Sequence, residues 1–357
     1  RRRAPRAGPA FGAVRLHPYP HQTAVLESLA AERAAGHLRN LVVAANVALL
    51  PFLQNITVPY LFELTLEGGE QGVTRPGSSS MVSYLGGLSQ QRDGTVISAG
   101  ISRLGNAVPL GLYWATDMDA EIDDGNVTIV SLADADVQFR RVATLANDTS
   151  LAVGSIDVDS DALPARPLGV LLDADHAVST SGIGPYWTLP TTSMLGSTED
   201  SSAEDVTALD TGSIAIVGTS DDGNGASVGF VTLLDPLTLS SVDTHAIVAE
   251  SAGNVRAAAV ATTPAGDLVV AGTTTGPLQP DHVLNGAAGF VTVFRVDAGA
   301  TLEPLMTLLV DGPGEDFVVD VEVTRDGVIL VAGHTQGSLG GSANRGRRDA
   351  FVRALAP

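Results

Sequence analysis

One pattern recurs five times along this chain and fixes most of what it can become. In its last copy, residues 317–336, two runs of Val, Ile and Leu flank Asp326-Gly327, the strongest short-range signal for a β-hairpin. The second run, 328–332, is almost continuously apolar, as a strand covered on both faces would be, and Gly333 closes it. The earlier copies close at Gly100, Gly154, Gly218 and Gly272, so successive spacings are 54, 64, 54 and 61 residues. A second anchor follows each, in register at Gly111, Gly169, Gly229, Gly289 and Ala350, with spacings of 58, 60, 60 and 61. Two anchors in step at one period mark a repeat array, one supersecondary unit per repeat.

Each unit holds four strand candidates; the last complete one offers 257–263, 268–272, 290–296 and 305–310. Strands of this length with turn chemistry between them suit one antiparallel blade. A parallel β-helix has shorter coils and no need of hairpins, and a sandwich would not repeat in register. The predicted fold is therefore all-β: a β-propeller of four-stranded antiparallel blades, most simply five, with six or seven possible. The final unit stops after its third strand, and strand 60–66 is expected to pair with 351–355 and close the ring. Residues 55–357 form the propeller on this reading. Residues 1–54 form a short, partly helical extension, basic at its start and with a helical pattern over 24–35.

The run Gly314-Glu-Asp-Phe, then Val323-Thr-Arg-Asp-Gly-Val-Ile-Leu-Val-Ala-Gly-His-Thr, then Arg348-Asp-Ala-Phe-Val-Arg-Ala-Leu resembles the bacterial beta-propeller repeat called SBBP. The resemblance is best over residues 196–357. It implies a propeller in a secreted or cell-surface setting and supplies no catalytic residues. Near the N-terminus, Leu16-His-Pro-Tyr-Pro-His-Gln and Arg39-Asn-Leu-Val-Val-Ala resemble the start of a superfamily-two helicase, in which Gln22 would contact adenine. No G-x-x-x-x-G-K-[ST] loop appears in the sequence, so nothing would cradle a triphosphate and no ATPase is expected. The apolar stretch 41–53 is too short for a membrane-spanning helix and reads as a buried helix or strand.

Charge narrows the partners. Forty acids against 20 bases leave a net charge of −20, and every base is Arg. Seven of those Arg lie in residues 1–39, so the repeats are more acidic still, and nucleic acid should be repelled. Cysteine is absent, which removes disulfides and thiolate metal sites. Aromatic content of 4% argues against a stacking groove for bases or sugars, and Trp114 and Trp187 read as packing residues.

The connections between second and third strands are long in every unit, and repeat proteins place binding on such a face. If that strand order holds, an acidic rim gathers there, with Asp134, Asp136, Asp200, Glu204, Asp205, Asp221, Asp311, Glu315 and Asp316 among its members. Asp157, Asp159 and Asp161 have the alternating spacing that lets carboxylates converge on Ca²⁺. An EF-hand is excluded, because Ala162 and Leu168 stand where its glycine and glutamate belong. The denser acidic run 117–125 and Asp221-Asp222-Gly223 read as turn chemistry. None of the seven His shows metal spacing, and His334 reads as a loop residue.

These features predict a non-enzymatic, monomeric binding or adhesion module, extracellular or at the cell surface, taking a protein or glycan ligand on its long-loop face. Two rivals differ in kind: a glycan-active hydrolase or lyase with carboxylates at the central channel, and a purely structural repeat domain of a larger surface protein. Carboxylates clustered with Arg or His at the channel mouth would favour the enzyme. Small apolar lining would favour the binder.

Overall fold

The computed structural model describes residues 41–48, 57–64, 70–74 and 82–355, apart from 104–108, 117–125, 132–134, 146, 159–164, 179–185, 189–199, 222–225, 252, 281, 285, 298, 340–343 and 345–347. Among the described residues the chain forms 22 strands and no helix. They make six antiparallel meanders. The first holds β1 (Leu41–Ala48), β2 (Thr57–Leu64) and β3 (Glu70–Thr74). The second holds β4 (Val82–Gln90), β5 (Val96–Arg103), β6 (Leu110–Thr116) and β7 (Asn126–Val130). The third holds β8 (Ala135–Thr144), β9 (Ser150–Val158), β10 (Arg166–Leu172) and β11 (Tyr186–Thr188). The fourth holds β12 (Ser201–Ala208), β13 (Ile214–Asp221), β14 (Ser227–Leu234) and β15 (Ser241–Ile247). The fifth holds β16 (Val255–Thr262), β17 (Leu268–Thr274), β18 (Ala288–Val296) and β19 (Leu302–Val310). The last holds β20 (Asp316–Val323), β21 (Ile329–Thr335) and β22 (Asp349–Leu355).

The sheets follow one another as propeller blades. The first strand of each repeat packs on the first three strands of the repeat before it: β8 on β4, β5 and β6, then β12, β16 and β20 likewise. The core is accordingly a series of blade-to-blade layers. Val217, Val231, Val255, Ala257, Val270 and Phe290 make one such layer, and Val291, Val310, Val318, Val331 and Phe351 the next.

The two sequence anchors have different jobs. Gly229 and Gly289, from the second anchor, sit against Val255 and Val318 of the following blade, where a Cβ would come within 3.1 and 2.5 Å. The first anchor does not end its strand, since β13, β17 and β21 run on past Gly218, Gly272 and Gly333. It faces a β-bulge in the neighbouring inner strand instead. Register shifts at Leu85/Gly87, Phe139/Arg141, Ala203/Asp205, Ala257/Ala259 and Val318/Asp320 leave Gly86, Arg140, Glu204, Ala258 and Val319 as the extra residues. At Gly154, Gly218, Gly272 and Gly333 a backbone carbonyl beside the bulge presses on the anchor glycine, and a Cβ on Gly272 would run into the Arg256 oxygen.

The expected hairpins form. Gly327 takes φ 86° and donates its amide to Thr324 O at 2.9 Å, while Thr324 N–H donates to Val328 O at 2.9 Å. The third blade makes the same kind of turn with Asp148 at φ 61°, a strained choice for a residue with a Cβ.

Three expectations are corrected. Residues 41–48 are a strand in the same compact unit as the repeats, which begins at Asn40, so the extension does not reach residue 54. Strand 60–66 does not pair with 351–355: β2 pairs along all of β1 and with β3, while β22 pairs with β21. An apolar partner next in the chain closes a far shorter loop than one at the opposite terminus. The result is a sixth sheet, packed on β4 through β1 and β2 as the other blades pack on their successors. His334 lies within β21, not in a loop. The helical pattern at 24–35 and the helicase-like residues as far as Asn40, Gln22 among them, fall outside the described residues, and the last four of that segment lie in β1. Among the described residues no helix is long and apolar enough to cross a membrane.

Candidate functional site in the central channel

The inner strands β4, β8, β12, β16 and β20 line a central channel with two chambers. The upper chamber is a cavity of about 620 Å³. Its walls include Thr273 and His334 near the ends of second strands, Ser227 at the start of a third, and Asn254 just before a first, so it opens on the long-connection face. The bulge residues Gly86, Arg140, Glu204, Ala258 and Val319 all line it. The bulges thus take five residues out of the alternating pleat and turn them into the channel. The lower chamber, about 580 Å³, faces the tight turns and carries Ser89, Thr144, Asp205, Asp320 and Glu322. Gly86 and Arg141 border both chambers.

In the upper chamber one buried carboxylate is shared by two guanidinium groups. Arg256 Nη2 donates to Glu204 Oε2 at 2.8 Å, and Arg140 Nη1 stands 3.5 Å from the same oxygen. The Ser202 hydroxyl donates to Glu204 Oε1 at 2.7 Å. The Glu204 side chain is 8% exposed, against 41% for Arg140 and 57% for Arg256. Arg140 Nε is buried with no hydrogen-bond partner. On the β20–β21 wall, the Phe317 and His334 rings stack at 4.7 Å, with the Arg348 guanidinium 6.0 Å from the Phe317 centroid.

The lower chamber is acidic. Val206 N–H donates to Asp205 Oδ1 at 2.9 Å, Val260 N–H donates to Oδ2 at 2.8 Å, and Arg141 Nε lies 3.6 Å from Oδ1. Burial nevertheless pushes the Asp205 carboxyl up to about 7; the Val260 amide and Arg141 oppose this, and the Asp320 charge adds to it. Glu322 is also raised, first by desolvation in the channel and then by Asp320. Arg141 additionally donates to Gly86 O, which ties β8 to β4.

Glu204 and Asp205, expected on the acidic rim, stand in β12 and face the channel. Asp136 and Asp157 are directly opposed in register on β8 and β9. Asp159, Asp161 and the run 117–125 fall outside the described residues, as do the side chains of Trp114 and Trp187. Among the described residues no group of three or more His, Asp or Glu is arranged to hold a metal. Sequence reading missed Arg140, Arg141 and Arg256 as site residues. A signal was present: each bulge residue lies 14 positions before its anchor glycine, from Gly86 and Gly100 to Val319 and Gly333.

No protein-family model matches the chain. No curated protein matches it either. Solved structures do resemble it. A protein of unknown function from Dyadobacter fermentans aligns at 13% identity and TM-score 0.49, covering 78% of this chain and 80% of the other. A glucose dehydrogenase aligns at 10% identity and TM-score 0.44, covering 88% and 99%. An alpha-L-arabinanase from Penicillium chrysogenum, complexed with arabinobiose, aligns at 10% identity and TM-score 0.44, covering 78% and 99%. At such identity, nothing those proteins bind or turn over passes to this chain.

Proposed function

We propose that this protein is a non-enzymatic, monomeric binding or adhesion module, extracellular or at the cell surface, that takes a glycan or protein ligand at the upper mouth of its channel. The observation that carries the reading is the state of the carboxylate at that mouth. Among the described lining residues Glu204 is the one acid, and two arginines and a serine hold it. Glycosidic hydrolysis asks for two carboxyl groups flanking the scissile bond, one of them free to take or give a proton. The upper chamber offers a walled, largely pre-formed pocket with fixed polar groups, as a binding site does. The SBBP-type resemblance supplies the surface setting.

Ala258 provides the test, because its side chain lines the chamber without bonding to anything polar. Glycans retained by the wild-type protein on an array should be lost by Ala258→Trp, with the melting temperature nearly unchanged. Release of cleaved sugar from a retained glycan would replace the binder with an enzyme.

One observation favours that second reading. In the lower chamber burial raises the Asp205 carboxyl to about 7, with the Asp320 carboxyl lining the same chamber, a pairing suited to acid–base work. A hydrolase or lyase would then act from the tight-turn face, and Asp205→Asn would abolish turnover while leaving retention at the upper mouth. We also propose calcium as a structural ion at Asp157, Asp159 and Asp161.

A further inference from the structure

We infer that the upper chamber recognises a monoanionic carboxylated sugar, with Arg140 and Arg256 holding its carboxylate; this rests on the upper mouth being the ligand site. Two guanidinium groups surround a single carboxylate, so the cluster of Arg140, Glu204 and Arg256 carries one positive charge more than it balances. Arg256 engages Glu204 through Nη2, and Arg140 approaches it only at 3.5 Å through Nη1. Each guanidinium has five N–H donors in a fixed fork, so most of the donors at this mouth remain to be used. The Arg140 Nε is buried without a partner, so the protein leaves this guanidinium incompletely satisfied, and its exposed part faces the chamber. Both arginines are substantially exposed, and they are exposed into the chamber.

The surroundings choose among anions. Glu204 sits within the same cluster, so a second negative charge on the ligand would meet it at close range. That disfavours phosphate dianions and favours a carboxylate, whose two oxygens match the guanidinium fork. The net charge of −20 means that the rest of the molecule repels anions, so any capture is the work of this local pair. Ser227, Asn254, Thr273 and Thr275 stand on the same wall, each side chain already fixed by one hydrogen bond within the protein, and their remaining hydroxyl and amide capacity can meet a sugar's hydroxyls. A cavity of about 620 Å³ has room for one or two sugar rings.

Equilibrium dialysis of the full chain against D-glucuronate, D-glucose, acetate and inorganic phosphate tests this. Glucuronate should bind best, and its affinity should fall as NaCl is raised. Arg256→Gln should weaken glucuronate about tenfold. Arg256→Lys, which keeps the charge and the fold but loses the fork, should weaken it by a smaller factor. Glu204→Gln is the decisive variant: it frees both arginines and should tighten glucuronate binding, whereas a purely structural ion cluster predicts no gain. Glucose or phosphate binding as well as glucuronate, acetate binding equally well, or Glu204→Gln weakening glucuronate would each overturn the inference. If glucuronate fails but a neutral glycan binds and is displaced by Ala258→Trp, the mouth remains the site and only its ligand class is wrong. Glucuronate binding unaffected by Ala258→Trp would remove the mouth itself.

Discussion

The backbone amide of Val260 on β16 donates to the buried carboxylate of Asp205 on β12 at 2.8 Å, so a side chain of one blade is fastened to the main chain of the next. The bond is strongest when Asp205 is ionised. Burial and the Asp320 charge work the other way and raise its pKa to about 7, from an ordinary aspartate value of 3.8. The folded state therefore binds this proton more tightly than the unfolded chain. Between about pH 4 and pH 7 the folded state carries more protons, and stability falls as pH rises through that window.

The first prediction follows from that sign. Urea unfolding should give a lower free energy at pH 8 than at pH 5, by at most about 3 kcal/mol. General charge repulsion in so acidic a protein acts in the same direction, so the contrast must be taken against Asp205→Asn. That variant should lose most of the difference. An identical pH dependence in both proteins would mean that Asp205 does not hold its proton in the fold.

A second prediction separates two kinds of glycine. Gly272 faces a bulge, and a Cβ there would meet the Arg256 carbonyl oxygen at 1.9 Å. Gly266 sits in a turn at φ 88° with nothing within 4 Å of the same added atom. Gly272→Ala must displace backbone and should cost about 3 kcal/mol or more. Gly266→Ala pays only for its left-handed backbone, about 1 kcal/mol. Comparable losses in the two variants, measured by chemical denaturation, would mean that the bulges are soft.

These glycines also show how far the sequence could be read. The period, the hairpins and the four-strand units were legible because turn chemistry and apolar runs are local signals. The anchor glycines were visible as a pattern, but their reason was not. They look like strand ends, whereas they are the places where a neighbouring strand's carbonyl presses close. That contact lies between residues well separated in the chain, such as Gly218 and Ser202. The channel charges were hidden for the same cause. Glu204 and Asp205 are two neighbours in an acidic stretch until the bulge at Ala203/Asp205 turns one into each chamber. Arg140 and Arg256 reach Glu204 from inner strands on either side of β12, a meeting no spacing rule predicts.

A third prediction concerns the N-terminal boundary. β1 pairs with β2 through eight residues, and both pack on β4. A chain beginning at Asn40 should unfold like the parent. A chain beginning at Asn55 loses β1 and leaves the β2 edge open, so it should melt on the order of 10 °C lower or aggregate. Equal melting temperatures for the two truncations would show that β1 adds nothing to the fold.

The last prediction turns on Asp157. It stands directly opposite Asp136 across β8 and β9, and like charges so placed repel. Asp159 and Asp161 follow at the alternate positions through which carboxylates share a calcium ion. Two salt effects are expected, and they differ in form. Molar NaCl should raise the melting temperature gradually in every variant, because it screens a surface of net charge −20. Millimolar CaCl₂ should add a rise that grows with the logarithm of the calcium concentration once the site is filled, that EDTA reverses and that Asp157→Asn abolishes. The comparison has to be made at matched ionic strength, where screening alone gives equal shifts for both salts. Equal shifts would leave Asp157, Asp159 and Asp161 as an acidic loop and remove calcium from the account of this protein.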